Sequence, residues 1–108
     1  MDSRIIFEKD KFLINKINWI IENNSESEWI YFNNDYTELI NLITNIFKDK
    51  IIYVSTLRQN SFECYPQDLP NYLHQIKKQD SFRIWNYNFD TIFEFKTNLN
   101  IYRIGNLK

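Results

Sequence analysis

The chain has one thiol, Cys64, and one imidazole, His74. Such a pair is the minimum for thiolate catalysis, because the imidazole must take the thiol proton. The sequence puts Cys64 in a loop and His74 on a helix, which leaves contact between them open. The ordinary reading of these residues is a small apolar filler and a solvated surface side chain. Structural zinc takes about four Cys or His ligands, and two fall short. A calcium or magnesium site built on carboxylates needs acids clustered at loop spacing. The 14 acidic residues show no such loop and no pair that stands out as acid and base. Loops that cradle phosphate need several glycines so that the backbone can approach the anion. Gly105 is the only glycine, which excludes a P-loop or dinucleotide fingerprint. The expectation is a chain with no catalytic site, no metal and no cofactor.

Binding chemistry is better represented. From Ile17 to Phe47 there is no Lys or Arg, while Glu22, Glu26, Glu28, Asp35 and Glu38 all fall in that stretch. Residues 1–49 hold nine acids against five bases, and residues 50–108 hold five against eight. The net charge of −1 therefore conceals two halves of opposite sign. Segregated charge of this kind steers an oppositely charged partner. The bland alternative is that Asp35 and Glu38 serve a helix cap and the other acids a solvated edge. A second pattern is Arg83, Trp85 and Tyr87, which alternate along a strand and so share one face. Aromatics beside arginine on a sheet can stack on single-stranded nucleic acid and hold its phosphates. The bland reading places Trp85 and Tyr87 in the core with Arg83 at its rim. Without an excess of positive charge, nucleic acid ranks below a protein partner.

The elements that must position these residues follow from periodicity and punctuation. Leu13, Ile14, Ile17, Ile20 and Ile21 predict a helix from Asp10 to about Glu22, capped by Asp10 and ended by Asn23-Asn24. Trp29–Phe32 reads as a strand closed by Asn33-Asn34. Asp35 and Glu38 have capping-box spacing ahead of Tyr36, Leu39, Ile40, Ile43, Ile46 and Phe47, all on one helical face. Ile51–Val54, apolar on both faces, predicts a central strand, and strand–helix–strand implies a right-handed parallel unit. Residues 56–67 read as a loop, and Asp68 and Pro70 open a third helix. Three runs, 82–85, 92–96 and 101–104, separated by turn residues, predict an antiparallel meander. The fold class is α+β or α/β. About three helices pack on a mixed sheet of about five strands, in a single domain over residues 1–108.

At 108 residues the chain is the size of one domain, and a 44% hydrophobic fraction with 18% aromatics suits a packed core. It has no Ala and is crowded with Ile, Asn and Lys, the mark of AT-rich codons, so its asparagines need not be functional. The start, Met1–Asp10, lacks the basic region and apolar run of a secretory signal, and no window approaches a membrane span. Cytoplasm is the default expectation, and no membrane partner is expected. In size, lack of signal, codon bias, mixed secondary structure and acidic stretches such as Glu26-Ser27-Glu28-Trp29, the chain resembles the small immunity proteins of bacterial toxin–immunity systems. The likeness is one of general character over the whole chain and transfers no residue by position. It implies a non-enzymatic protein that binds one cognate toxin, possibly a nuclease, and blocks it. On this reading Glu22, Glu26, Glu28, Asp35, Glu38, Trp85 and Tyr87 are the candidate partner-binding residues. A small nucleic-acid-binding or regulatory protein is the alternative, and the oligomeric state is left open.

Overall fold

The computed structural model describes residues 1–22, 26–33 and 35–108. The first helix, α1, spans Ser3–Leu13 and is capped by Asp2, whose side chain accepts a hydrogen bond from the Ile5 amide at 2.9 Å. This differs from the expected helix at 10–22. Asp10 is not a cap but a buried residue in the second half of α1. A 3-10 turn at Ile14–Lys16 leads into strand β1, Ile17–Trp19. Apolar residues spaced four apart, such as 13, 17 and 21, satisfy an alternating pattern as well as a helical one. The tie was broken by pairing with a distant strand. The expected stop at Asn23-Asn24 lies outside the described residues, as does Asn34 of the expected turn.

Strand β2 is Ile30–Tyr31. Helix α2, Tyr36–Phe47, forms as its sequence dictates. The Asp35 carboxylate accepts from the Glu38 amide at 3.1 Å, and Leu39, Ile43 and Phe47 form its buried stripe. Strand β3, Ile52–Ser55, is buried at every position, as expected of a central strand. The predicted loop after it contains a short strand, β4, Phe62–Cys64, and a 3-10 segment, Pro66–Tyr72, precedes the short helix α3, Leu73–Lys77. Strands β5 (Ser81–Trp85), β6 (Thr91–Lys96) and β7 (Ile101–Leu107) form the predicted antiparallel meander.

Among the described residues the result is an α+β fold of three helices on a seven-stranded sheet. The strand order is β1-β7-β6-β5-β3-β4, with β2 also on the outer side of β7. Every ladder is antiparallel. Strands β2 and β3 do run in the same direction, but they are not neighbours: β7, β6 and β5 lie between them. Two-residue-period strands joined by short turns pair locally, so the meander occupies the centre of the sheet and pushes β2 to its edge.

Alternation along β3, β5 and β6 divides the core between the two faces of the sheet. On one face Ile52, Val54, Phe82, Ile84, Phe93 and Phe95 pack against Leu39, Ile43 and Phe47 of α2 and against Leu69 and Ile76. On the other face Tyr53, Trp85 and Ile92 pack with Ile6 of α1, Ile17 and Phe89. Gly105 sits where β1 crosses β7. A Cβ there would meet the Asn18 carbonyl oxygen and the Trp19 ring at 2.9 Å, and the Ile17 side chain closer still. No helix among the described residues is long and apolar enough to cross a membrane.

Candidate functional site

Two clusters of charged and aromatic side chains flank β7. The first lies on the α1 face. Arg83, Glu94 and Arg103 are direct cross-strand partners on β5, β6 and β7, so opposite charges face each other across both ladders. Arg83 Nη1 donates to Glu94 Oε2 at 3.2 Å, and Arg103 Nε donates to Glu94 Oε1 at 2.7 Å. Asp10 descends from α1 and accepts from Arg83 Nε at 2.8 Å and from Trp85 Nε1 at 2.7 Å. At the other end Arg103 Nη1 donates to Glu28 at 3.2 Å. The Arg103 guanidinium also lies 3.6 Å from the centre of the Trp19 ring and 4.4 Å from that of Trp29, within cation–π range. Asp10 and Glu94 are almost wholly buried, and two buried carboxylates are tolerable only because each is paired and hydrogen-bonded. Burial opposes the charge on Arg83, but Asp10 and then Glu94 outweigh it and hold its pKa above the ordinary arginine value. All three tryptophans of the chain touch this ladder, and it is complete in itself.

The second cluster lies between the β2–β7 edge and α2. A groove of about 370 Å³ runs there, lined by Phe32, Glu38, Asn41, Asn45 and Tyr102 and by strand β2 at Tyr31, whose side chain the register turns with Ile101 to the opposite face of the sheet from Tyr102. Among the described residues that line it, Glu38 alone is charged. Tyr31 is 66% exposed. Burial, and after it the Glu22 carboxylate, raises the Tyr102 pKa above the usual tyrosine value. Among the described residues neither Glu22 nor Glu38 makes an ion pair, and no Lys or Arg lines the groove. Aromatic surface beside a carboxylate without an ion pair suits a cation.

The sequence candidates are thus divided by the fold. Glu38 lines the groove, and Glu22 is exposed. Glu26 is exposed, Glu28 is half-buried and held by Arg103, and Asp35 is exposed and occupied as the α2 cap. Trp85 must be withdrawn as a partner-binding residue, because it is fully buried with its indole nitrogen bonded to Asp10. The Arg83-Trp85-Tyr87 face does not exist as an exposed platform. Arg83 is engaged by two carboxylates, and Tyr87, 59% exposed, stands apart beside Lys50. Cys64 is half-buried on β4, and its thiol is pushed up to about 12 by burial and by Asp68. That is the reverse of the lowered pKa a nucleophilic cysteine needs. His74 is exposed on α3.

Sequence reasoning missed Asp10, Glu94, Arg103, Tyr31 and Tyr102. One signal was available for the ladder: Glu94 is the only charge inside the apolar run Ile92–Phe95, and a charge flanked by buried neighbours needs a partner. The turn at 97–100 folds 94 onto 103, which names that partner. No comparable signal marks the groove, whose walls come from β2, α2 and β7. Neither a family model, nor a curated protein, nor a solved structure matches the chain.

Proposed function

We propose that this chain is a non-enzymatic protein-binding domain that neutralises a basic protein partner in the cytoplasm, in the manner of an immunity protein against its cognate bacterial toxin. The observation that carries the reading is the groove beside α2, where the exposed Glu38, without an ion pair among the described residues, stands beside the half-buried rings of Phe32 and Tyr102. Aromatic anchors with complementary charge around them are what protein interfaces use. An acidic surface is also what fits the basic substrate cleft of a nuclease. The nucleic-acid alternative loses its support, since Trp85 is buried and Arg83 is neutralised inside the fold.

The test is to mix the purified chain with the toxin encoded beside its gene. A stable complex in gel filtration and loss of toxin activity are expected. Reversing Glu22, Glu26 and Glu38 to Lys together should slow association by about tenfold at low salt, and less at high salt. Absence of a complex with that toxin would sink the immunity reading. Unchanged association in the triple variant would sink the role of the acidic surface.

A further inference from the structure

We infer that the chain forms a symmetric dimer by pairing the open edge of β1 with the same edge of a second copy, antiparallel and with Trp19 at the two-fold axis. The inference goes beyond the protein-binding reading above and stands on other residues. The sheet has two edges, β1 and β4, and they are finished differently. At one, β4 is three residues long, and Glu63 at its centre is paired with the amino terminus of Met1. A short strand bearing a charge is a common way to keep an edge from pairing. At the other, β1 carries Ile17-Asn18-Trp19, and the chain runs on through Ile20 and Ile21 with no charge and no proline.

The backbone of this edge is set to pair. The Lys16 carbonyl accepts from the Lys108 amide at 2.9 Å, and the Ile20 amide donates to the Ile104 carbonyl at 2.8 Å. Residues 16 and 20 therefore turn their backbone groups toward β7, and by alternation Asn18 does the same. That leaves the amides and carbonyls of Ile17 and Trp19, and of Ile21 next in phase, facing outward, with no strand beyond them among the described residues. The side chains around them are apolar. Ile20 and Ile21 are exposed, and so are Leu107, which pairs with Ile17, and Phe12, against whose ring Lys16 lies.

Charge names the occupant. Lys16 and Glu22 bracket the apolar run, and among the described residues neither makes an ion pair. In a second copy laid antiparallel with Trp19 opposite the partner's Trp19, Ile17 falls opposite the partner's Ile21, and Lys16 opposite the partner's Glu22. Each backbone pair then joins two outward-facing residues, as an antiparallel ladder requires, and opposite charges meet at both ends. A slip of one residue would set outward groups against inward ones, and a slip of two would separate the charges. The same patch serves both chains, so the contact closes at two.

The experiment is sedimentation equilibrium of the intact chain, from well below to well above a dissociation constant expected on the order of 10 µM. Lys16→Glu alone and Glu22→Lys alone each set like charges at both ends and should weaken the dimer about tenfold. The two together restore the pairs with reversed sign and should bring the affinity back. Ile21→Lys, at an exposed position, should remove the dimer and leave the circular dichroism of the monomer unchanged. The amides of Ile17 and Trp19 should exchange slowly with deuterium at high concentration and fast when dilute, while those of Phe62–Cys64 show no such dependence. A chain that stays monomeric, an assembly larger than two, a dimer insensitive to the single reversals, or one that the double reversal fails to restore would each overturn the assignment. Protection that maps to β4 or α1 would do the same. A monomer that still binds the toxin would overturn the dimer and leave the immunity reading standing.

Discussion

On the α1 side of the sheet Arg103 lies between Trp19 and Trp29 with Glu28 and Glu94 on its nitrogens. At the edge beside α2, Phe32, Tyr102 and Glu38 stand around open space. Similar residue types do structural work in one place and are left available in the other. The difference is whether the fold supplies the opposite charge. In the ladder each buried carboxylate meets an arginine on the neighbouring strand or helix, and the whole chain Asp10–Arg83–Glu94–Arg103–Glu28 is closed by protein groups. At the groove, the Glu38 carboxylate stays in contact with water, which is why the fold tolerates it without an ion pair. Charge that is buried and satisfied serves the fold. Charge that is exposed and unsatisfied is free for recognition.

That contrast can be broken most directly at Asp10. Asp10→Ala leaves the buried Trp85 indole nitrogen without its acceptor and the Arg83 guanidinium with Glu94 alone, and should cost about 3 kcal/mol of stability, read from urea denaturation. A midpoint within error of the wild type would show that the ladder does not hold the fold. Gly105→Ala comes next. Its methyl group would press on the Asn18 carbonyl and the Trp19 ring, loosening β1 and the ring stacked on Arg103, at about 1–3 kcal/mol. The same variant should perturb the fluorescence of Trp19. A neutral outcome would mean that β1 can move off β7 without strain.

The smallest effect belongs to the groove. Glu38→Gln should change stability by no more than about 0.5 kcal/mol in either direction, because the side chain is exposed and makes no ion pair among the described residues. A loss comparable with that of Asp10→Ala would put Glu38 in the scaffold and erase the distinction between the two regions.

Features whose signal is local were legible in the sequence. Helix α2 was readable because Asp35 and Glu38 mark its start and Leu39, Ile43 and Phe47 recur at its period. The β5–β6–β7 meander was readable because turn residues separate alternating runs, and β3 because it is apolar on both faces. The α+β class follows from these elements. Helix α1 and strand β1 were not readable, since a four-residue apolar spacing fits both helix and strand, and only the ladder from β1 to Leu107, Asn106 and Gly105 settled the matter. Strand β4, three residues long, carries too little pattern to stand out from a loop.

Charge shows the same boundary between local and distant information. The sequence determined that acids concentrate in the first half of the chain and bases in the second. Only the tertiary structure decided which acids those bases neutralise. The bonds from Asp10 to Arg83 and from Glu28 to Arg103 span 73 and 75 residues, and no periodicity reaches that far. The same folding that buried Trp85 against Asp10 left Glu38 beside an open groove. A side chain's role depends on what is brought next to it, and that is set by the packing of the whole sheet.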